Sequence, residues 1–354
     1  MPAVWTGKDG HVGQLEQDCD IEGYIQYGDR ELLLHQRWPS LITDHGARTV
    51  SNGLSRYEPI FHALDSPDDL KGVKLITDRN SLRKIYGLFT PDAMYGPKPF
   101  RIDAQKFGNV ILLARWEKPG SRVPILPHPF CWSQSHQLAT SRYQLEGSKS
   151  CHRIVRYGFG GIQIMVRFEL DSATEAAPLE GSTNDNVTEN SNDVDYLTDA
   201  MRDTSVNDRL LPLPKCTEIK SGIKIHKTNY PAPPLSSFIE TKTRSARGEL
   251  DYVDIYGQLA FSQTPNLFVA RHHKGYFQTL EKISLGEGIL KDIAEATQET
   301  MAKTAGMIKE MMDTVEEFGE VTFVWSGEGT NVEVWKGDPQ IAPSEEAREM
   351  LLAA

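Results

Sequence analysis

Apolar and polar residues change period several times along the chain, and each change predicts an element. From Tyr57 to Leu64 the apolar positions fall at helical spacing. Val73 to Thr77 is short and β-prone, which predicts a strand, and Asn80 to Phe89 returns to helical spacing directly after it. Phe100 to Gln105 and Val110 to Trp116 are β-prone runs parted by Phe107-Gly108-Asn109, a hairpin signal. His152 to Tyr157 and Ile162 to Leu170 predict a second hairpin around Gly158-Phe159-Gly160-Gly161. After a long polar gap, Leu235 to Thr241 reads as a strand, Arg247 to Ala260 as a helix and Asn266 to Arg271 as a strand. From Glu287 to Phe318 the residues Ile289, Ile293, Met301, Ala305, Ile308, Met312 and Val315 recur at helical spacing, with polar Thr297 between Ile293 and Met301. A long helix packed on a sheet is expected there. Val321 to Trp325 and Asn331 to Trp335 close the pattern as strands. The mixed order gives an α+β class, with central mixed β-sheets flanked by helices.

The polar gap changes the domain picture. Between Ser172 and Asp208 there are nine acidic residues and one basic one, so this stretch carries −8 of the net −11. It is rich in Ser, Thr and Asn, and prolines 212, 214, 231, 233 and 234 follow it. This composition predicts a disordered acidic insertion over 172–234. On either side, 56–171 and 235–340 are expected to form one domain, whose strands flanking the insertion are neighbours in one sheet. Residues 1–55 read as a partly irregular N-terminal extension and 341–354 as a C-terminal tail. Outside the acidic stretch the chain carries only −3, so a local basic cleft for nucleic acid is permitted. No apolar run approaches a membrane span, and MPAVWTGKDGHVGQ lacks the apolar core of a signal peptide. The four cysteines are widely spaced with no CxxC pair, which argues against a zinc ribbon or a disulfide scaffold. The expectation is a nuclear or cytoplasmic protein, not secreted and with no membrane partner.

Two strand segments carry candidate chemistry. In Arg167-Phe168-Glu169-Leu170-Asp171 the alternation of a strand puts Glu169 and Asp171 on one face, about 7 Å apart. In Phe238-Ile239-Glu240-Thr241-Lys242 it puts Glu240 and Lys242 on one face. If the two strands pair, three carboxylates and an ammonium meet. Hard oxygen ligands of this kind suit Mg²⁺ or Mn²⁺, which polarise a phosphoryl group and generate hydroxide, while Lys242 orients the attacking water. E-x-D and E-x-K on adjacent strands form the pattern of a metal-dependent nuclease core. Arg153, Arg156, Tyr157 and Arg167 form a basic and aromatic set that fits an RNA-channel lining or, equally, a solvated hairpin face.

These segments resemble the motifs of the DXO family of decapping exoribonucleases. Glu169-Leu170-Asp171 resembles the family's E-h-D motif, and Glu240-Thr241-Lys242 its E-h-K motif with Thr241 in an apolar position. Gln258 followed by Pro265-Asn266-Leu267-Phe268-Val269-Ala270 resembles the family's helix glutamine and the strand after it. Ile76-Thr77-Asp78-Arg79 resembles the strand that ends in the family's arginine. Arg142-Tyr143-Gln144-Leu145-Glu146 resembles the family's G-Y-x-h-E, with Arg142 in place of the glycine. The likeness extends over roughly three quarters of the chain. It is closer still to a divergent fungal branch whose members are often labelled geranylgeranyl pyrophosphate synthetases. Prenyl transfer is not supported, because the one aspartate-rich string, Asp65-Ser66-Pro67-Asp68-Asp69, has the wrong spacing and a proline inside it.

The resemblance implies a metal-dependent hydrolase of RNA 5′ ends, acting in decapping, 5′ pyrophosphohydrolysis or 5′-3′ exonucleolysis. It implies Glu146, Glu169, Asp171 and Glu240 as ligands of Mg²⁺ or Mn²⁺. Glu240, Lys242 and Gln258 become the catalytic set, and Arg79 grips substrate phosphate. It also implies a 5′-3′ exoribonuclease partner. The alternatives are a catalytically impaired protein that binds RNA ends or an exoribonuclease, and a related nuclease acting on DNA or small nucleotides.

Overall fold

The computed structural model of the chain describes residues 16–20, 53–64, 66–94, 96–116, 151–173, 216–218, 224–226, 234–273, 276–329, 331–336, 341 and 343–354. An eight-stranded mixed sheet is its largest element. In chain order its strands are β1 (Glu16–Asp20), β2 (Leu75–Asp78), β3 (Phe100–Phe107), β4 (Val110–Arg115), β5 (Cys151–Phe159) and β6 (Ile162–Leu170), then β13 (Glu320–Trp325) and β14 (Glu333–Lys336). Their spatial order is β1-β5-β6-β2-β4-β3-β13-β14. β2 runs parallel to both β4 and β6, and the other pairings are antiparallel. The second sheet contains β7 (Ser172–Ala173), β10 (Phe238–Ser245), β11 (Asn266–His273) and β12 (Tyr276–Ser284), in the order β12-β11-β10-β7. β8 (Cys216–Glu218) and β9 (Lys224–His226) pair with each other.

Alternation on the large sheet separates two cores. Leu75, Leu113, Ile164, Val166 and Tyr157 join one cluster with Phe238, Leu267 and Val269 of the second sheet. Helices α2 (Arg79–Gly87), α3 (Tyr252–Phe261), α4 (Gly288–Ala296) and α5 (Gln298–Phe318) cover that side. Ile76, Leu112, Ile154 and Met165 face the other way, onto α1 (Gly53–Ala63) and α6 (Glu345–Ala353). At the β5–β6 turn Gly160 has φ +58°, and a Cβ there would lie 2.5 Å from Ala305 of α5, so the hairpin tip seats on the helix only as glycine. Among the described residues no helix is long and apolar enough to cross a membrane.

The α+β class with flanking helices is observed. Several local expectations are corrected. β6 and β10 are not neighbours in one sheet. The chain leaves the large sheet after Leu170, and Ser172–Ala173 pairs with Phe238 and Ile239 of β10. The segment expected as insertion therefore begins with a strand and also contains the β8–β9 pair; its remaining residues, up to 233, lie outside the described ones. The N-terminal extension contributes β1, an edge strand whose sequence EQDCD has no apolar alternation to announce it. The expected tail carries α6, which buries Ala347 and Leu351. The expected long helix is two, α4 and α5, broken at Thr297. The hydroxyl of this β-branched residue bonds the Ile293 carbonyl at 2.7 Å beside the backbone N–H that bonds it at 2.9 Å, a back-bond of the kind that bends helices. β12 has no counterpart in the sequence reading, because Glu281 and Lys282 interrupt its alternation.

Candidate active site

The two sheets meet where β2, β6 and β10 end or begin. Asp78, the last residue of β2, accepts the Ser81 N–H at 2.8 Å and so starts α2 at Arg79. The cap fixes Arg79 in the first turn, 7 % exposed. Its Nη1 donates to Glu240 Oε2 at 3.0 Å, and its guanidinium lies 5.6 Å from the Phe168 ring centroid. Its Nε is buried with no protein hydrogen-bond partner. Asp78 takes the helix cap, with Arg115 at 3.8 Å, and it is Glu240 that pairs Arg79.

Glu240 is the centre of the arrangement. It is buried on β10, and its Oε1 accepts from both Lys242 Nζ and Gln258 Nε2. Gln258 comes from α3, one turn beyond Asp254. Asp254 takes a two-oxygen salt bridge from Arg83 Nη2 of α2, at 2.8 and 2.6 Å. The spacing of four puts Asp254 and Gln258 on one helix face, so the bridge that docks α3 on α2 also aims Gln258 at Glu240. Gly257 lets the helices close: a Cβ there would lie 2.9 Å from the Tyr86 ring. Neither Arg83, Asp254 nor Gly257 was identified from the sequence, although the i,i+4 spacing of Asp254 and Gln258 is visible in it.

Asp171 is the residue at which the chain crosses between sheets. Its Oδ2 accepts the Thr241 N–H at 2.9 Å, and the Ser172 and Thr241 hydroxyls lie 3.2 Å apart. Burial and the neighbouring Glu240 charge push the Asp171 carboxyl well above the usual range, against the pull of Lys242, Thr241 and Arg79. Burial also acts upward on Glu240, but Lys242 and Arg79 outweigh it and hold Glu240 below the usual range. The two neighbouring carboxyls are thus shifted in opposite directions, Asp171 upward and Glu240 downward.

The structure brings together Arg79, Asp171, Glu240, Lys242 and Gln258. It does not gather Glu169 with them. Glu169 alternates with Phe168 and Leu170, which face the core, and is opposite His152 on β5. Glu146 and Arg142 lie outside the described residues. The expected basic set is split by alternation. Tyr157 belongs to the core on one face of the sheet, and Arg153 stacks 4.9 Å from the Phe238 ring on the same side. Arg156 instead donates to the Asp69 and Lys71 carbonyls, and Arg167 pairs in register with Ile154 of the opposite face. These four residues cannot line one channel.

Asp171 and Glu240 fit a divalent cation on the chemistry of their oxygens. A dication held by both carboxylates would favour the ionised form of Asp171. Among the described residues, the one set of three His, Cys or acidic residues with ligating atoms within 4.8 Å of one another is Glu58, His62 and Glu346, on α1 and α6 across the large sheet. The 3.2 Å His62–Glu58 ion pair and the Ser344 N–H on Glu58 account for that cluster.

Residues 36–337 match the domain of unknown function DUF8563. The chain belongs to this family. No curated protein matches it by sequence. Solved structures share its fold. That of Schizosaccharomyces pombe Rai1 in complex with 3′-FADP has a TM-score of 0.54 at 11% identity, over 96% of this chain and 100% of that chain. Candida albicans Rai1 in complex with pU5-Mn²⁺ has a TM-score of 0.57 at 10% identity, over 99% and 100%. Scheffersomyces stipitis Rai1 has a TM-score of 0.58 at 9% identity, over 99% and 98%. The chain therefore shares the fold of these Rai1 structures, as the expected likeness requires. In this DUF8563 chain the junction of the sheets carries a buried carboxylate with three cationic or amide donors, a second carboxyl beside it, and a guanidinium with one N–H to spare.

Proposed function

We propose that this protein is a metal-dependent hydrolase of RNA 5′ ends. The observation that carries the reading is the convergence of Arg79, Lys242, Gln258 and Asp171 on Glu240 at the sheet junction. The fold shared with Rai1 structures that hold pU5-Mn²⁺ or 3′-FADP supports it. Asp171 and Glu240 are the residues that would hold Mg²⁺ or Mn²⁺, joined by Glu146 from outside the described residues. The bound metal supplies Lewis-acid polarisation of the phosphoryl oxygen and a nucleophilic water. The Arg79 Nε–H, buried and without a hydrogen-bond partner, is the donor left for a phosphate oxygen, to which a planar guanidinium gives directed contact. Lys242 and Gln258 fix the Glu240 carboxylate, and Lys242, 26 % exposed, also reaches the water or the scissile phosphate. Decapping, pyrophosphohydrolysis and exonucleolysis share this chemistry. A 5′-3′ exoribonuclease partner and a nuclear or cytoplasmic location belong to the same proposal.

The test is hydrolysis of 5′-labelled RNAs (triphosphate, unmethylated cap, methylated cap, NAD-capped and monophosphate) with Mn²⁺ or Mg²⁺. Asp171→Asn keeps the shape and the Thr241 contact, so it keeps the fold, and its activity should drop ~100-fold, the scale of losing one metal-positioning group. Glu240→Ala should be inactive. One observation favours a second reading, binding without hydrolysis: Glu240 is already fully engaged by the chain's own donors. A folded wild-type protein that binds 5′-phosphorylated RNA but cleaves none of these ends would establish that reading instead.

A further inference from the structure

Among the described residues, β10 leads away from Glu240 in one open direction. Toward its start stands Phe238, fully buried against Phe168. In the other direction Lys242 is 26 % exposed and Arg244 is half-buried, both on the Glu240 face of the strand by alternation. The parallel register pairs Arg244 with Arg271 of β11, and the antiparallel one pairs Arg271 with Thr279 of β12, so this face continues across the sheet. At its end lies a cavity of about 670 Å³, within the range of small-ligand sites. Arg271, Thr279 and Glu281 form its sheet side, with Arg247, Glu249 and Tyr252 around the turn that leads into α3. From Glu240 to Arg244 is roughly 13 Å of strand.

The cavity is mixed in charge. Arg271 is pinned by Glu281 at 3.2 Å and donates to the Gly248 carbonyl, while Arg247 and Glu249 are exposed. A bare phosphate would be drawn to cations alone. A nucleotide needs donors and acceptors for the base edge, an aromatic face to stack on and a cation for its phosphate, and Glu249, Thr279, Tyr252 and Arg247 supply these.

We propose that this cavity receives a nucleotide of the same RNA strand, downstream of the 5′ end held at Glu240, and that Lys242, Arg244 and Arg247 mark the path of the phosphates between them. The inference rests on the reading of Glu240 as the 5′-end site. It makes the protein a reader of single-stranded length. An RNA too short to reach the cavity is held at the 5′ end alone, and a longer one is held at both places.

The test is equilibrium binding of 5′-monophosphorylated oligouridines of two and ten nucleotides by fluorescence anisotropy, in EDTA so that no cleavage occurs. The wild type is compared with Arg247→Glu and Arg244→Gln; Arg247 is exposed, so its reversal leaves the fold intact, checked by the thermal midpoint. The decamer should bind more tightly than the dimer. Arg247→Glu should weaken the decamer about tenfold and lower its salt slope by about 1, with the dimer little changed. Equal binding of both lengths by the wild type, or equal loss for both in the variant, would overturn the proposal. Failure of the hydrolysis reading looks different: no RNA end is cleaved with metal, whatever the length dependence in EDTA.

Discussion

Arg79 shows how a residue's place in the fold can be legible while its partner is not. Its position after a short strand and before a helix is visible in Thr77-Asp78-Arg79-Asn80, and so is the capping potential of Asp78. What the sequence hides is the partner. Glu240 is 161 positions away, and only the crossing of the chain between sheets at Asp171 brings the two together. The guanidinium is held on two sides, by the Glu240 carboxylate and the Phe168 ring, with Nε left over. Lysine keeps the charge but not the fork. Arg79→Lys should therefore leave the thermal midpoint within a few degrees of wild type and lower kcat/KM for 5′-triphosphate RNA by ~10- to 100-fold, the scale of one charge-assisted hydrogen bond. Unchanged kcat/KM would remove Arg79 from phosphate binding. Glu169 is the converse case. The two-residue spacing promised a shared face with Asp171, but that rule holds only while both residues stay in one strand, and the strand ends at Leu170.

At the scale of elements, what was legible is local and what was not is long-range. Both hairpins, β2 with the helix after it, and α3 followed by β11 follow from period and turn residues. β1, β12 and the split of β6 from β10 depend on pairing partners that no local pattern names. The packing of α3 on α2 is the element-level feature on which the site depends. Arg83 and Asp254 clamp the pair, Gly257 removes the side chain that would hold the helices apart, and Gln258 follows it in sequence. Gly257→Ala adds helix propensity, about 1 kcal/mol. It also drives a Cβ to 2.9 Å from two Tyr86 ring atoms, an overpacking that costs about 1–3 kcal/mol. The crowding should win, so denaturant unfolding should show a net loss of stability. Activity should fall by more than the unfolded fraction explains, because Gln258 moves with its helix. Equal stability and equal activity would mean that α2 absorbs the methyl and that the close approach does not matter.

Across the whole molecule, the large sheet separates the candidate site from the face that secures the chain's last helix. On that second face Glu58 of α1 is 2 % exposed, accepts from His62 at 3.2 Å and takes the Ser344 N–H just before α6. Burial pushes the Glu58 carboxyl up, but these hydrogen bonds and the His62 charge outweigh it, so it lies below the ordinary 4.5. The sign follows from linkage. A carboxylate with a lowered folded-state pKa contributes stability that is fully present above about 4.5 and is lost as the pH falls through the lowered value. Glu58→Gln removes this contribution at neutral pH and with it part of the acid sensitivity. Thermal midpoints measured from neutral pH down to about 3 should therefore converge for wild type and variant at the acid end, with the variant lower above 4.5. Parallel curves would show that Glu58 does not hold α6. Glu58 makes no contact with Arg79, Asp171 or Glu240, so hydrolysis at neutral pH by the folded variant should match wild type. A loss there, with folding intact, would mean that the docking of the last helix reaches through the sheet to the site, and that the two cores are not independent.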